Sequence, residues 1–166
     1  MPAFPSDSDP LAANVGHELL ARSARFAAVE TTAGGLIAAR VLSVPGASNW
    51  FDRAYVAYSG PAKADLGVDL DILRTHGAVS QEAVTAMAEV VRERSGVAFV
   101  VAESGIAGPQ GSRRSPKPVG AVAIAVAGPH RTNAIELQLA GSRVEVMQAI
   151  AEAALALLLE EIRALE

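Results

Sequence analysis

Apolar residues change their spacing several times along the chain, and each change marks an element. Ser8 or Asp9 followed by Pro10 supplies a cap with proline in the first helical turn, and a helix runs from there to about Ser23. Residues 1–8 before it read as a flexible polar tail. Phe26 to Val29 is a short apolar run that leads into Glu30-Thr31-Thr32-Ala33-Gly34-Gly35, after which Leu36 to Leu42 has helical character until Pro45-Gly46 stops it. This is strand, tight turn, helix. Ala54 to Tyr58 has the aromatic and branched content of a strand, and Gly60-Pro61 opens a short helix that carries Lys63. Ser80 caps a helix whose apolar residues Ala83, Met87, Val90 and Val91 share a face, and Gly96 ends it. Phe99 to Ala102 and Ala121 to Val126 are continuous apolar runs, the pattern of strands buried on both faces. Between them lies a Gly- and Pro-rich loop from Gly105 to Pro118. Ile135, Leu137 and Leu139 alternate with Glu136 and Gln138, as in a strand near a sheet edge with one wetter face. From Ser142 a stripe of Val144, Met147, Ala151, Leu155, Leu158 and Ile162 predicts a closing helix.

Strands alternating with helices predict an α/β fold, a three-layer α/β/α sandwich with helices on both faces of one sheet. The last two strands are joined only by Gly128-Pro129-His130-Arg131, too short for a parallel crossover, so an antiparallel pair is expected in a mixed sheet. At 166 residues, 51% hydrophobic, the chain is long enough for one well-buried domain, expected over residues 9–166.

Charge and composition narrow the function. A net charge of −4 carries no broad basic surface, which argues against nucleic acid as a partner. With no cysteine, and with His17, His76 and His130 scattered, no metal site is expected. The acidic start lacks the pattern of a signal peptide, so the cytoplasm is the expected location. The apolar run Ala153 to Leu159 falls far short of the ~20 residues of a membrane span and reads as a core helix or a subunit contact.

Chemistry-bearing residues gather in short motifs. Hydroxyls and a glycine pair at Glu30 to Gly35 stand where backbone N–H groups favour a developing negative charge. Pro45-Gly46-Ala47-Ser48, Tyr58-Ser59 with Lys63, His76-Gly77-Ala78-Val79-Ser80, Ser104-Gly105-Ile106-Ala107-Gly108-Pro109 and Lys117-Pro118-Val119-Gly120 follow in order. In this order and at these spacings the set resembles the CinA C-terminal domain family, whose characterised enzymes are nicotinamide-nucleotide amidohydrolases, from about Leu19 to Leu159. Where that family usually reads Glu-Ser-Cys-Thr-Gly-Gly, the chain has Glu30-Thr31-Thr32-Ala33-Gly34-Gly35.

The resemblance implies a mixed, mostly parallel sheet of about five strands. It also implies conversion of nicotinamide mononucleotide and water to nicotinate mononucleotide and ammonia, without metal or organic cofactor. Such chemistry needs a nucleophile, a base and donors for an oxyanion. Thr31 and Ser48 are the candidate nucleophiles, Lys63 the base once its amine is desolvated, and Tyr58 a proton relay or an orienter of the amine. Glu30, Thr32, Gly34 and Gly35 are expected to line the substrate, Glu30 through the ribose or else paired with a cation. Ser104, Gly105, Ala107 and Gly108 bring backbone close to it, and Lys117 and Arg143 suit its phosphate. Arg113 and Arg114 add charge but read as a solvated loop. The rival expectation is a catalytically silent nucleotide-binding or scaffold protein, since three adjacent site positions differ together. A homodimer or larger homo-oligomer is expected in either case.

Overall fold

In the computed structural model, which describes residues 6, 8–110 and 115–165, the elements are α1 (Pro10–Ala21), β1 (Phe26–Glu30), α2 (Leu36–Leu42), β2 (Phe51–Val56), α3 (Gly60–Asp65), α4 (Leu70–His76), α5 (Gln81–Ser95), β3 (Phe99–Gly105), β4 (Ala121–Ala127), β5 (Thr132–Gln138) and α6 (Arg143–Arg163). Most of the tail expected over 1–8, together with Arg113 and Arg114, lies outside the described residues. One five-stranded sheet runs in the order β2-β1-β3-β4-β5. β1 pairs in parallel with β2 and β3, while β3 with β4 and β4 with β5 are antiparallel. Four of the five strands therefore run the same way, and only β4 is reversed. The edge position of β5, with its alternating exposure, is the one its sequence predicts.

The two faces of the sheet are built differently. On one face α1, α2 and α6 bury large side chains against Phe26, Phe99, Val101 and Ile124, and Phe26 stacks on Trp50 with ring centroids 6.1 Å apart. Gly16 of α1 is there because of that indole: a Cβ at this position would lie 2.6 Å from Trp50. On the other face α5 lays Val84, Met87, Ala88 and Val91 on a bed rich in alanine, Ala27, Ala102, Ala123, Ala125 and Ala127. Small side chains let that helix come close, so it covers three central strands at once. The result is the three-layer α/β/α sandwich that the pattern of elements predicts.

Several boundaries differ from those read in the sequence. β2 occupies Phe51–Val56 rather than Ala54 to Tyr58, because its start pairs with Phe26 at the start of β1. Pairing carries on only as far as the Ala57 N–H, which donates to the Glu30 carbonyl at 2.9 Å. β3 runs on through Glu103, Ser104 and Gly105, since these pair with Ile124, Ala123 and Val122 of β4. Helix α4 and a single 3-10 turn at Ala47–Asn49 differ from the sequence reading, which has neither: α4 offers only Leu70 and Leu73 at helical spacing within seven residues, and the 3-10 turn is three residues long.

Candidate functional site

The carboxyl ends of β1, β2 and β3 lie at one end of the sheet, and the order β2-β1-β3 makes the β1/β3 boundary a topological switch point. In open α/β sheets the crevice outside such a boundary is where ligands sit. The segment Thr31 to Gly35 leaves β1 there, with Gly34 and Gly35 both at positive φ, 65° and 101°. Residues with a Cβ rarely adopt these angles, which is why a glycine pair turns the chain into α2.

Two buried carboxylates hold this turn. Glu30 has no exposed surface, and its oxygens accept N–H donors from Gly35 (2.8 Å), Ile37 (3.0 Å) and Ala38 (2.9 Å). It thus caps the first turn of α2, whose N-cap residue is a glycine without a side chain to do so. The expected roles of Glu30 as a ribose ligand or as the partner of a cation are corrected: the residue is sealed beneath the turn it supports. Burial raises its carboxyl above the ordinary carboxylate range, opposed by the three N–H donors.

Glu103, at the end of β3, holds the other half of the turn. One of its oxygens, Oε1, accepts from the Thr31 N–H at 2.6 Å and the Ala33 N–H at 2.8 Å. The second, Oε2, is buried without a hydrogen-bond partner. Desolvation pushes this carboxyl up to about 7, against the pull of the backbone donors. The expectation that the N–H groups of this turn await a developing negative charge is therefore corrected at Thr31, Ala33, Gly35, Ile37 and Ala38, all of which face carboxylates of the protein itself.

The threonines are knitted to β3 as well. Thr31 Oγ1 donates to the Glu103 carbonyl at 2.9 Å. Thr32 Oγ1 donates to the Gly105 carbonyl at 2.8 Å and accepts from its N–H at 2.9 Å. Both side chains are buried, as is Ser104 beside them. Gly105 is forced by space, since a Cβ would sit 2.9 Å from Val122 and 3.1 Å from Ile150.

Lys63 comes to the same end on α3. Ser59 caps this helix through the Ala62 N–H, and Pro61 stands in its first turn. The lysine is only 3% exposed, and Nζ donates to the Tyr58 carbonyl at 2.9 Å. Burial draws its amine below the usual lysine range, while the charge of Glu103 pulls it back up. Tyr58 itself is exposed, so its backbone, not its phenol, orients the amine. The phenol lies 3.5 Å from Arg143 Nη2, and Nη1 of the same guanidinium donates to the Gly108 carbonyl at 2.6 Å. Arg143 thus ties the end of β2, the loop after β3 and the start of α6 together, with donors left over on an exposed side chain.

Two expected site residues lie elsewhere. Ser48 is exposed on the 3-10 turn before β2, whereas Lys63 follows β2. The six residues of β2 separate them by roughly 20 Å, so one chain does not bring Ser48 to the amine. Lys117 folds back onto β5, its Nζ 3.1 Å from Glu136. Glu103 was missed in the sequence; the available signal was a lone carboxylate ending the apolar run Phe99 to Ala102. No group of side chains that could hold a metal ion occurs among the described residues.

The model of the CinA C-terminal domain matches residues 8–162. The chain belongs to the CinA C-terminal domain family. It is 43% identical over 145 residues to a CinA-like protein of Syntrophobacter fumaroxidans, covering 87% of the chain and 34% of the relative. It is 40% identical over 164 residues to a putative competence-damage inducible protein of Symbiobacterium thermophilum, covering 93% of the chain and 38% of the relative. The chain thus spans a little over a third of the length of these curated relatives. Among solved structures, the competence/damage inducible protein CihA from Agrobacterium tumefaciens superposes with a TM-score of 0.88 at 34% identity, covering 96% of the chain and 98% of that structure. The competence damage-inducible protein A from Klebsiella pneumoniae superposes with a TM-score of 0.89 at 30% identity, over 94% of the chain and 97% of that structure. The CinA C-terminal family thus accounts for both the order of the motifs and the sheet.

Proposed function

We propose that this CinA-like chain is an amidohydrolase that converts nicotinamide mononucleotide to nicotinate mononucleotide and ammonia. The observation that carries the reading is Lys63, buried at the switch-point end with its amine on a backbone carbonyl rather than on a carboxylate. A lysine so desolvated can give up its proton and serve as a base near neutral pH. In this reading the Thr31 hydroxyl leaves the Glu103 carbonyl, gives its proton to Lys63 and attacks the carboxamide carbon. Lys63 returns the proton to the departing ammonia, and water then releases the acyl group. Arg143 meets the phosphate, and Ala107 and Gly108 bring backbone to the substrate. The extra methyl of threonine narrows the line of attack, so turnover is slow, and Thr31→Ser raises it. Substrate and reaction come from the family; the buried lysine and the buried hydroxyl at the same end of the sheet are what supports them here.

A second reading is favoured by one observation: Glu103 occupies the Thr31 and Ala33 N–H groups that an oxyanion would need. In that reading the domain binds the nucleotide without turning it over. Ammonia and nicotinate mononucleotide formed from nicotinamide mononucleotide decide between them. Turnover lost by a factor of 100 or more, on the order expected for a base or nucleophile, in Lys63→Ala and Thr31→Ala, and kept in Ser48→Ala, supports the enzyme. Binding without product supports the silent domain. Loss on Ser48→Ala instead overturns the Thr31 mechanism and means that a second copy supplies the hydroxyl.

A further inference from the structure

β2 is an edge of the sheet, and among the described residues no strand pairs with its outer side. The Ala57 N–H faces β1, donating to the Glu30 carbonyl. Backbone groups of a strand turn to alternate sides, so Tyr55 and Arg53 also face β1, while Asp52, Ala54 and Val56 aim N–H and C=O outward. An open row of this kind is a template for another strand unless lysine, proline or a covering element blocks it. Phe51-Asp52-Arg53-Ala54-Tyr55-Val56 has no lysine and no proline. The other edge, β5, is tied to its own domain by polar side chains, Thr132 to Glu89, Asn133 to Glu161 and Glu136 to Lys117. On the β2 side apolar surface is left over: Val56 and Tyr58 are exposed on and just after the strand, and Leu42 is exposed at the end of α2, the helix packed on it.

We propose that β2 pairs antiparallel with β2 of a second copy about a two-fold axis at Ala54, and that this pairing brings the partner's Ser48 and the partner's Asn49 to the site. A two-fold axis perpendicular to the sheet lets the outward groups of one strand meet the same groups of the other. Centring it on Asp52 or on Arg53 sets two like charges directly opposite, which is unfavourable. Centring it on Tyr55 leaves Asp52 beyond the end of the partner strand. At Ala54 all three outward residues find a place, Asp52 across from Val56 and Ala54 across from its own copy. Arg53 then stands opposite Tyr55, a cation beside an aromatic ring. β2 carries one acid and one base, so two copies bring no net charge together although the chain as a whole is at −4.

Antiparallel pairing exchanges the ends of the strand. Within one chain the turn Ala47–Asn49 stands roughly 20 Å from Lys63, because β2 lies between them. Across the axis, position 49 of one copy comes level with Ser59 of the other and position 48 with Gly60, on a strand about 4.8 Å away. Both Ser48 and Asn49 are exposed in the single chain, as is Tyr58. The second copy therefore sets a hydroxyl and an amide beside Tyr58, at the end of the sheet where Lys63 lies buried. Thr31 keeps the role given to it above; the partner supplies a wall of the site, and the pairing stands whether or not a nucleotide is turned over.

The chain has no cysteine, so introduced thiols report the contact directly. Light scattering of the unaltered protein is expected to give the mass of two chains. Ala54→Cys, with Cα atoms about 5.5 Å apart across the axis, is expected to form a disulfide between two chains under mild oxidation. Asn49→Cys and Ser59→Cys are each expected to stay uncrosslinked when oxidised alone and to join when the two variants are co-expressed. Ala54→Pro removes an N–H that faces away from β1, so the strand keeps its place and the mass falls to that of one chain. A mass of one chain for the unaltered protein, or no disulfide in Ala54→Cys, overturns the proposal, and so does a folded Ala54→Pro that still has the mass of two. Asn49→Cys joining to itself rather than to Ser59→Cys overturns the register and with it the placement of Ser48. If Ala54→Pro does not fold, the cysteine variants decide alone. Failure to deamidate the nucleotide removes the enzyme reading and leaves every one of these outcomes as a test of the pairing.

Discussion

Single residues set the chemistry of this domain through burial. Glu103 in the folded chain holds its proton up to about 7, whereas in the unfolded chain it ionises near 4.5. Between those values the folded state binds the extra proton, so the stability this group contributes is fully present below about pH 4.5 and is lost as pH rises through 7. The loss is on the order of 3 kcal/mol. Urea unfolding at pH 5 and pH 8 is expected to show that decline, and Glu103→Gln is expected to abolish it and to be the more stable protein at pH 8. Lys63 shows the same principle from the other side, an amine kept from water with a backbone carbonyl as its hydrogen-bond partner.

At the scale of elements, what matters is how each helix begins. α1 starts on Asp9, which accepts from the Ala12 N–H at 3.0 Å and meets Arg40 through two further bonds of 2.6 and 3.0 Å. α6 starts on a capping box between Ser142 and Glu145. α2 has neither; its first turn depends on Glu30, a residue of the preceding strand. Thermal or urea unfolding should therefore separate two variants. Asp9→Ala costs about 1–2 kcal/mol, the worth of an N-cap with part of an ion pair. Glu30→Ala costs about 3 kcal/mol or more, because three N–H groups beneath the turn lose their acceptor and a buried space opens. Caps of the first kind are local and legible: Ser8 or Asp9 before Pro10, and Ser80, read as caps in the sequence, and the last helix reads as starting at Ser142. Glu30 stood in a recognisable motif, but its acceptor role depends on how the chain doubles back after Gly35, and no spacing rule reports that.

Across the whole molecule, the switch point gathers Thr31, Thr32, Lys63, Ser104, Gly108 and Arg143 from four separate stretches of chain. If the gathered residues bind nicotinamide mononucleotide, the ligand at a hundred times its Kd stabilises the folded state by about 2.7 kcal/mol. For a chain of this size that is a rise in Tm of roughly 5–10 °C. Arg143→Ala is expected to shrink the rise, and to cost the free protein about 1 kcal/mol through the lost bond to the Gly108 carbonyl; Lys63→Ala, which keeps the phosphate contact, retains most of the rise. The pattern of apolar positions alone determined the alternation of strands and helices, the three layers, the antiparallel last pair and the edge position of β5, because these follow from local periodicity and loop length. Motif order alone pointed to the family. Only the tertiary structure decided that Ser48 lies at the opposite end of β2 from Lys63, that Lys117 turns away to Glu136, and that Glu103 fills the N–H groups beneath Thr31. Strand direction and burial are properties of residues far apart in sequence: a hydroxyl in a motif carries no record of which end of the sheet it will occupy, nor a carboxylate of the donors it will meet.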